Sequence, residues 1–212
     1  MTTLNTLITK DTTSRDPKTL KRKKGSSNST VDLAPWPEWG RPLEKVFGQA
    51  VEKYLAGHRG AESLFTLDDA TFLASLGSTP QELYDFVEDW CELGEPSFGT
   101  VLRIAEVRAE HFFLEQYLER SSEVFRSDSM PSGDAKLGGF VWLPRIIAKA
   151  RAKLRGEIPA DMMFGCQNDR AFLKKVGIDP AQFLRVVWSV GKNDEEILEY
   201  VKISAEYKEE LP

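Results

Sequence analysis

One segment of this 212-residue sequence concentrates positive charge and contains no acidic residue. Residues 143–156 carry the cations Arg145, Lys149, Arg151, Lys153 and Arg155. Arg145 and Lys149 are one helical turn apart, so on a helix they share a face and could hold a phosphate, a carboxylate or an acidic partner surface. An apolar stripe from Leu143 to Leu154 is expected to face the core, which predicts that Arg145, Lys149 and Lys153 project together from another face. The alternative is that these cations pair with Glu and Asp residues of the other half of the chain.

Cys166 joins this candidate binding site because it stands just before Asn168 and Asp169, one of which is predicted to cap the next helix. A helix N-terminus stabilises a thiolate. A nucleophilic cysteine also needs a base, and neither histidine is close in the sequence. The sequence therefore indicates a binding role or a small buried side chain for Cys166, and no catalytic residue.

The spacing of the possible metal ligands argues against a metal site. Cys91 and Cys166 each lack a second cysteine nearby. His111 lies five residues after Glu106 and directly after Glu110, which differs from the three-residue spacing of a helical carboxylate–histidine pair. No glycine-rich phosphate loop is present, and the pair Gly138-Gly139 predicts a tight turn instead. We expect neither a metal nor a cofactor.

The N-terminal segment is a second candidate for binding. Residues 1–31 hold seven basic and two acidic side chains, and the rest of the chain is acidic, with a net charge of −5 overall. The run Lys21, Arg22, Lys23 and Lys24 could contact nucleic acid, an anionic membrane or an acidic protein face. Because residues 1–34 have few apolar side chains and no helical period, we predict a disordered, solubilising basic tail, with nucleic-acid contact as the less favoured reading.

The composition limits the class of protein. Hydrophobic residues make up 41% and charged residues 29% of the chain, which is typical of a globular protein. No apolar run approaches the roughly 20 residues needed to span a bilayer. Two cysteines are too few for a disulfide framework, so a reducing, cytoplasmic location is expected.

Apolar residues recur with the helical period on both sides of a polar segment, which predicts an all-α fold without strands. Helices are expected at about 38–56, 68–76, 79–91 and 98–124 in a first unit of residues 35–125. Residues 126–136 are rich in turn-forming residues and predict a linker. A second unit, residues 137–212, is expected to hold four helices beginning near 144, 168, 180 and 194.

The two units are similar to each other at an offset of 100 residues. Asp69 aligns with Asp169, Phe72 with Phe172, Leu73 with Leu173, Gly77 with Gly177, Pro80 with Pro180 and Val87 with Val187. Identities inside the helices are more than shared capping would produce, so we predict two tandem four-helix units that arose by duplication and pack as one body. Helix capping is the expected role of both Asp69 and Asp169.

Residues 137–211 resemble a bacterial family of small helical domains of unknown function. The resemblance is carried by Leu137-Gly138-Gly139-Phe140-Val141-Trp142-Leu143-Pro144-Arg145 and by later positions that include Cys166, Asp169 and Gly177-Ile178-Asp179. The family usually has an acidic residue where this chain has Ala148. The resemblance implies a helical fold and no reaction.

Since no nucleophile, base, metal or cofactor set is apparent, the sequence favours a non-catalytic helical binding or scaffold module with a protein partner. The alternative is a small ligand-binding protein or enzyme that holds an anionic metabolite in a cleft between the two units.

Overall fold

Helices account for nearly all the regular structure of residues 37–209, the part of the chain that this computed structural model describes. The first half contains α1 (Gly40–Leu55), α2 (Ala61–Leu64), α3 (Leu67–Ser75), α4 (Pro80–Leu93) and α5 (Phe98–Leu114). The second half contains β1 (Lys136–Leu137), β2 (Phe140–Val141), α6 (Leu143–Arg155), α7 (Gln167–Val176), α8 (Pro180–Val190) and α9 (Asp194–Glu209). The predicted helical class is therefore confirmed. The predicted basic tail lies outside the described residues.

Local capping explains where several helices begin. Thr79 and Glu82 form a reciprocal capping box at α4, with Pro80 at the first helical position, so this helix begins close to the predicted residue 79. The Asp179 side chain accepts the backbone N–H groups of Ala181 and Gln182 at α8. At α3 the cap is Thr66, and Asp69 is the third helical residue, which completes a capping box.

Three predicted features of the backbone are wrong in detail. The chain has an antiparallel hairpin made of two strands of two residues each, in which Lys136 pairs with Val141 and Leu137 with Phe140. Its turn is Gly138-Gly139, and both glycines have the positive φ that such a turn requires. Each strand is too short to show an alternating pattern in the sequence. The first half also contains the additional short helix α2, and α5 ends ten residues before the predicted position 124.

The two halves share one apolar core. Helix α1 packs on α4, α6 packs on α8, and α5 packs against both α6 and α8. Buried side chains from both halves form a single connected cluster. The described helices include none that is both long and apolar enough to cross a membrane.

The order of helices agrees in part with the predicted duplication. Helices α3 and α7 are followed by Gly77 and Gly177, which both have left-handed φ values, and α4 and α8 then begin at Pro80 and Pro180. The halves differ in packing, since α9 contacts α7 and α8 whereas α5 contacts α1. The duplication stays a prediction.

Candidate functional site

Lys149 lies in the interior and not on an exposed face of α6. Its side chain is buried, and its Nζ is 3.0 Å from Asp169 Oδ2 and 3.2 Å from Oδ1. The same Nζ lies 3.1 Å from Cys166 Sγ. The structure thus brings together Lys149 and Cys166, two of the predicted site residues, around a carboxylate from α7.

Asp169 is the centre of this cluster and does not cap α7, which corrects the sequence-based expectation. Helix α7 begins at Gln167 with Cys166 at its N-cap, and Asp169 is the third helical residue. Its fully buried carboxylate accepts hydrogen bonds from Trp142 Nε1 at 2.8 Å and from the Gly165 backbone N–H at 2.9 Å. Four donor contacts from Lys149, Trp142 and Gly165 offset the cost of burying this charge.

The chemistry available in this cluster follows from its composition. A partly exposed thiol lies beside a buried ammonium group, which is itself neutralised by a carboxylate. Neither histidine is among its hydrogen-bond partners: His111 stacks on Trp188 in an edge-to-face geometry, with ring centroids 5.3 Å apart. Residues 37–209 contain no group of His, Cys, Asp and Glu side chains able to hold a metal ion.

Lys153 enters a second buried ion pair, which joins the two halves. Its Nζ is 2.8 Å from Glu82 Oε1 on α4, and both side chains are buried. Glu82 Oε2 accepts from Ser78 Oγ at 2.6 Å and from the Thr79 backbone N–H at 3.0 Å. Burial alone would raise the pKa of Glu82, but the charge and hydrogen bond of Lys153 hold that pKa below its ordinary value.

Arg145 makes contacts that differ from those of both lysines. Its Nη1 donates to the Pro131 carbonyl at 2.6 Å, and its guanidinium group lies 5.5 Å from the centroid of the Trp142 ring. Arg145, Lys149 and Lys153 therefore do not form one free cationic face. Lys153 pairs with Glu82 of the first half, as the alternative predicts, whereas Lys149 pairs with Asp169 of its own half. Whether the predicted set Arg145, Lys149, Lys153 and Cys166 binds an anion stays a prediction, and Lys21, Arg22, Lys23 and Lys24 lie outside the described residues.

A surface of exposed apolar side chains lies at the C-terminal end of α5. We call it the α5-end surface, and its four members are Phe113 (61% exposed), Leu114 (53%), Tyr117 (80%) and Leu118 (56%). From the sequence this stretch is expected to continue the helix to about residue 124, so the exposed surface is not predicted. The signal available was Phe112-Phe113-Leu114, three consecutive large apolar residues that a single helix face cannot bury together.

The backbone of the turn directs these side chains outward. Tyr117 and Leu118 have φ values of +52° and +65°, a left-handed conformation that costs roughly 1–2 kcal/mol for each residue with a Cβ atom. The Leu118 N–H donates to the Phe112 carbonyl at 3.0 Å, which closes the turn. Gln116 points inward instead, where it accepts from Arg108 Nη1 at 2.8 Å and donates to the Arg155 carbonyl at 3.2 Å.

Arg108 anchors this turn from inside the protein. The side chain is 1% exposed, and its burial lowers its pKa to about 10. It packs beside the Phe112 ring, 5.1 Å from the centroid, and against the backbone at Gly77 and Gly156. The inward contacts of Arg108 and Gln116 therefore hold the left-handed turn in place.

Two small cavities lie in the described interior. One has a volume of about 20 Å³ and is lined by apolar side chains of α1, α3, α4 and α5 together with Glu82 and Lys153. The second, about 10 Å³, lies between the halves beside Glu82, Asp85, Lys153 and Phe164. A space of this size holds about one water molecule.

Comparison with known proteins agrees with the resemblance of the second half to a family without an assigned function. Residues 127–210 match a protein family described as Domain of unknown function (DUF5069). This match contains α6–α9 with the Lys149–Asp169–Cys166 cluster, and it excludes the α5-end surface. No curated protein and no solved structure matches the chain.

Proposed function

We propose that this protein is a non-catalytic helical binding module that docks a partner protein on the α5-end surface. The observation that carries this proposal is the exposure of four large apolar side chains, Phe113, Leu114, Tyr117 and Leu118, within six residues. Contiguous exposed apolar surface is typical of interaction sites, and Tyr and Phe are enriched among the residues that dominate binding energy.

The strained turn supports a binding role over an accidental exposure. Two residues held in the left-handed conformation lower stability, and neither Tyr117 nor Leu118 recovers that cost by burial. Asn or Gly at these positions would relieve the strain without losing core contacts. Large apolar residues at such positions are expected where an outward-facing anchor serves a partner.

The charges around the surface favour a particular partner chemistry. Glu115, Glu119 and Glu123 are exposed between or after the apolar anchors in the sequence, and Arg120 is the one cation of residues 113–124. None of the three carboxylates is in an ion pair within the described part of the chain. An apolar segment flanked by Lys or Arg residues would complement both features. The proposed occupant is therefore an amphipathic protein segment with basic flanks.

An anionic metabolite between the halves has less support. Lys149 and Lys153, the two buried lysines of α6, are already neutralised by Asp169 and Glu82. The described cavity there has a volume of about 10 Å³, enough for about one water molecule.

The proposal can be tested with the double variant Tyr117→Asn and Leu118→Asn in the full chain. The probe is a synthetic helical peptide with a leucine stripe and lysine flanks, and its binding is followed by fluorescence anisotropy. We expect the variant to lose roughly tenfold or more in affinity, the effect of removing one or two anchor side chains. Its stability to urea should be equal or higher, because Asn tolerates the left-handed conformation.

The matched control is Leu55→Asn with Leu67→Asn, which removes two leucines that are 63% and 82% exposed on other helices. This control should bind the peptide as the unmodified protein does. A peptide with the same stripe and glutamate flanks should bind more weakly, and added salt should reduce that difference. The proposal is overturned if the Tyr117/Leu118 variant binds the peptide as tightly as the unmodified protein does. It is also overturned if the control loses as much affinity as that variant. Self-association that the variant abolishes would identify a second copy as the occupant and would also overturn it.

A further inference from the structure

Three side chains that the proposed binding function does not use form a compact reactive cluster. Lys149 Nζ lies 3.1 Å from Cys166 Sγ and 3.0 Å from Asp169 Oδ2. Lys149 and Asp169 are buried, whereas residue Cys166, at the N-cap of α7, is partly exposed. We therefore expect a small oxidant to reach the sulfur, which is in contact with the buried Lys149 nitrogen.

We propose that Cys166 and Lys149 form a reversible sulfenamide cross-link when a hydroperoxide oxidises the thiol. The site is an oxidative modification site, and it is independent of the α5-end surface. Sulfenic acids are known to condense with nitrogen nucleophiles, and the Lys149 nitrogen is already in contact with the sulfur before oxidation.

The first step is a two-electron oxidation of Cys166. The Lys149 ammonium group donates a hydrogen bond to the sulfur, so the sulfur is held beside the amine when the peroxide attacks. The sulfur forms a bond to one peroxide oxygen as the O–O bond breaks. The thiol and hydrogen peroxide become a sulfenic acid and water.

The second step joins the two side chains. The Lys149 ammonium passes a proton to the Asp169 carboxylate, and the freed nitrogen lone pair attacks the sulfur. The S–O bond breaks, and the departing hydroxide takes a second proton from the nitrogen to leave as water. Overall, a thiol, an amine and hydrogen peroxide give a sulfenamide and two molecules of water.

Asp169 makes this step possible in a buried setting. Loss of the lysine charge alone would leave an unpaired buried carboxylate, which is costly. Because the proton moves to Asp169, the cluster is neutral overall both before and after the reaction. Trp142 Nε1 and the Gly165 N–H, at 2.8 and 2.9 Å, hold the carboxyl group in position throughout.

Cys91, the other cysteine of the chain, is an internal comparison for Cys166. Burial raises the pKa of Cys91 to about 11, so little thiolate is available for oxidation. The two cysteines are the only ones in the sequence. A full-length Cys91→Ser variant therefore also removes the possibility of an intramolecular disulfide, which would have the same mass loss as a sulfenamide.

The test treats Cys91→Ser protein with hydrogen peroxide and digests it with trypsin without reduction. We expect peptide 146–151 covalently joined to peptide 156–170, with a mass two hydrogens below their sum. Dithiothreitol should release both peptides. Met162 and Met163 lie in the second peptide, so fragment ions must assign any added oxygen.

Two matched variants make the outcome decisive. A Cys166→Ser protein that retains Cys91 should give no link to Lys149 under the same treatment. In Lys149→Arg protein, whose folding is checked by circular dichroism, Cys166 should proceed to sulfinic acid because the attacking amine is absent. The proposal is overturned if Cys91→Ser protein yields Cys166 sulfinic acid with Lys149 unlinked, or if the link retains an oxygen between nitrogen and sulfur.

Discussion

Asp85 is a carboxyl group that the fold tolerates poorly in its charged form. It lies partly buried on α4, where its Oδ1 accepts a hydrogen bond from Gln81 at 2.7 Å. Burial, with a smaller contribution from the charge of Glu88, raises its pKa to about 6 although Gln81 and Lys153 act in the opposite direction. Between about pH 4 and 6 the folded state therefore binds a proton that the unfolded state has released, so this group lowers stability as the pH rises through that window.

We predict that Asp85→Asn stabilises the protein at pH 8 and has little effect below pH 4. The difference between a pKa of about 6 and the ordinary value corresponds to about 3 kcal/mol of unfolding free energy. Because this group is partly exposed, solvent screening reduces the expected gain in stability to about 1–2 kcal/mol. Urea unfolding of both proteins from pH 4 to 8 measures it. The exposed Glu52→Gln controls for the loss of one charge, and a stability difference that does not vary with pH would contradict the assignment.

At the scale of single residues, the sequence shows which side chains carry a charge but not which residues they pair with. The cations of α6 and the lone Cys166 are visible in the sequence, and helical periodicity indicates which of its apolar residues face inward. Lys149 and Lys153 are nevertheless buried, because α7 supplies Asp169 and α4 supplies Glu82 at the right depth. Those contacts join residues 20 and 71 positions apart, and only the tertiary packing determines them.

The ends of helices show the same contrast. Starts such as Thr79–Glu82 and Asp179–Pro180 are predictable because the capping atoms lie within a few residues. The end of α5 has no glycine or proline to mark it. It is fixed by Gln116, which reaches Arg108 and the Arg155 carbonyl at the end of α6, so a sequence reading extends the helix too far.

At the C-terminus of α6, Gly156 combines a backbone requirement with a close contact. Its φ is +69°, and a Cβ atom there would lie 2.5 Å from Arg108 Nη2. Gly94, which ends α4, has a φ of +74° and no atom within 4 Å of such a Cβ. The two positions therefore share the strain of a left-handed residue and differ in the space around it.

We predict that Gly94→Ala costs roughly 1–2 kcal/mol of unfolding free energy, from backbone strain alone. Gly156→Ala should cost about 1–3 kcal/mol more, because the added methyl group displaces the buried Arg108 guanidinium group. Urea unfolding of the two variants measures the difference directly. Equal losses would show that Arg108 moves aside freely and does not anchor the turn at the end of α5.

At the scale of the whole molecule, charges and apolar contacts tie the halves together. The Lys153–Glu82 pair links α6 to α4, and Arg170 Nη1 on α7 lies 2.6 Å from Asp89 Oδ2 on α4. Gly165, next to the Lys149 cluster, approaches Phe86 and Ile104 of the first half so closely that an added Cβ would contact both. Core packing is thus continuous across the interface.

We predict that residues 37–209 unfold as one cooperative unit and that breaking the Lys153–Glu82 pair destabilises both halves equally. Lys153→Met leaves a buried, unpaired carboxylate and should cost about 3–5 kcal/mol. Adding Glu82→Gln should recover most of that loss, since the single amide oxygen of Gln can accept from both Ser78 and Thr79, as Glu82 Oε2 does, and Gln carries no charge. Hydrogen exchange measures the opening free energies of α1 and α8, helices on opposite sides of the interface. Because a cooperative unit opens as a whole, the slowest amides of both helices should lose the same free energy in Lys153→Met and regain it in the double variant. Loss of protection confined to one half would show that the halves fold as separate domains despite their shared core.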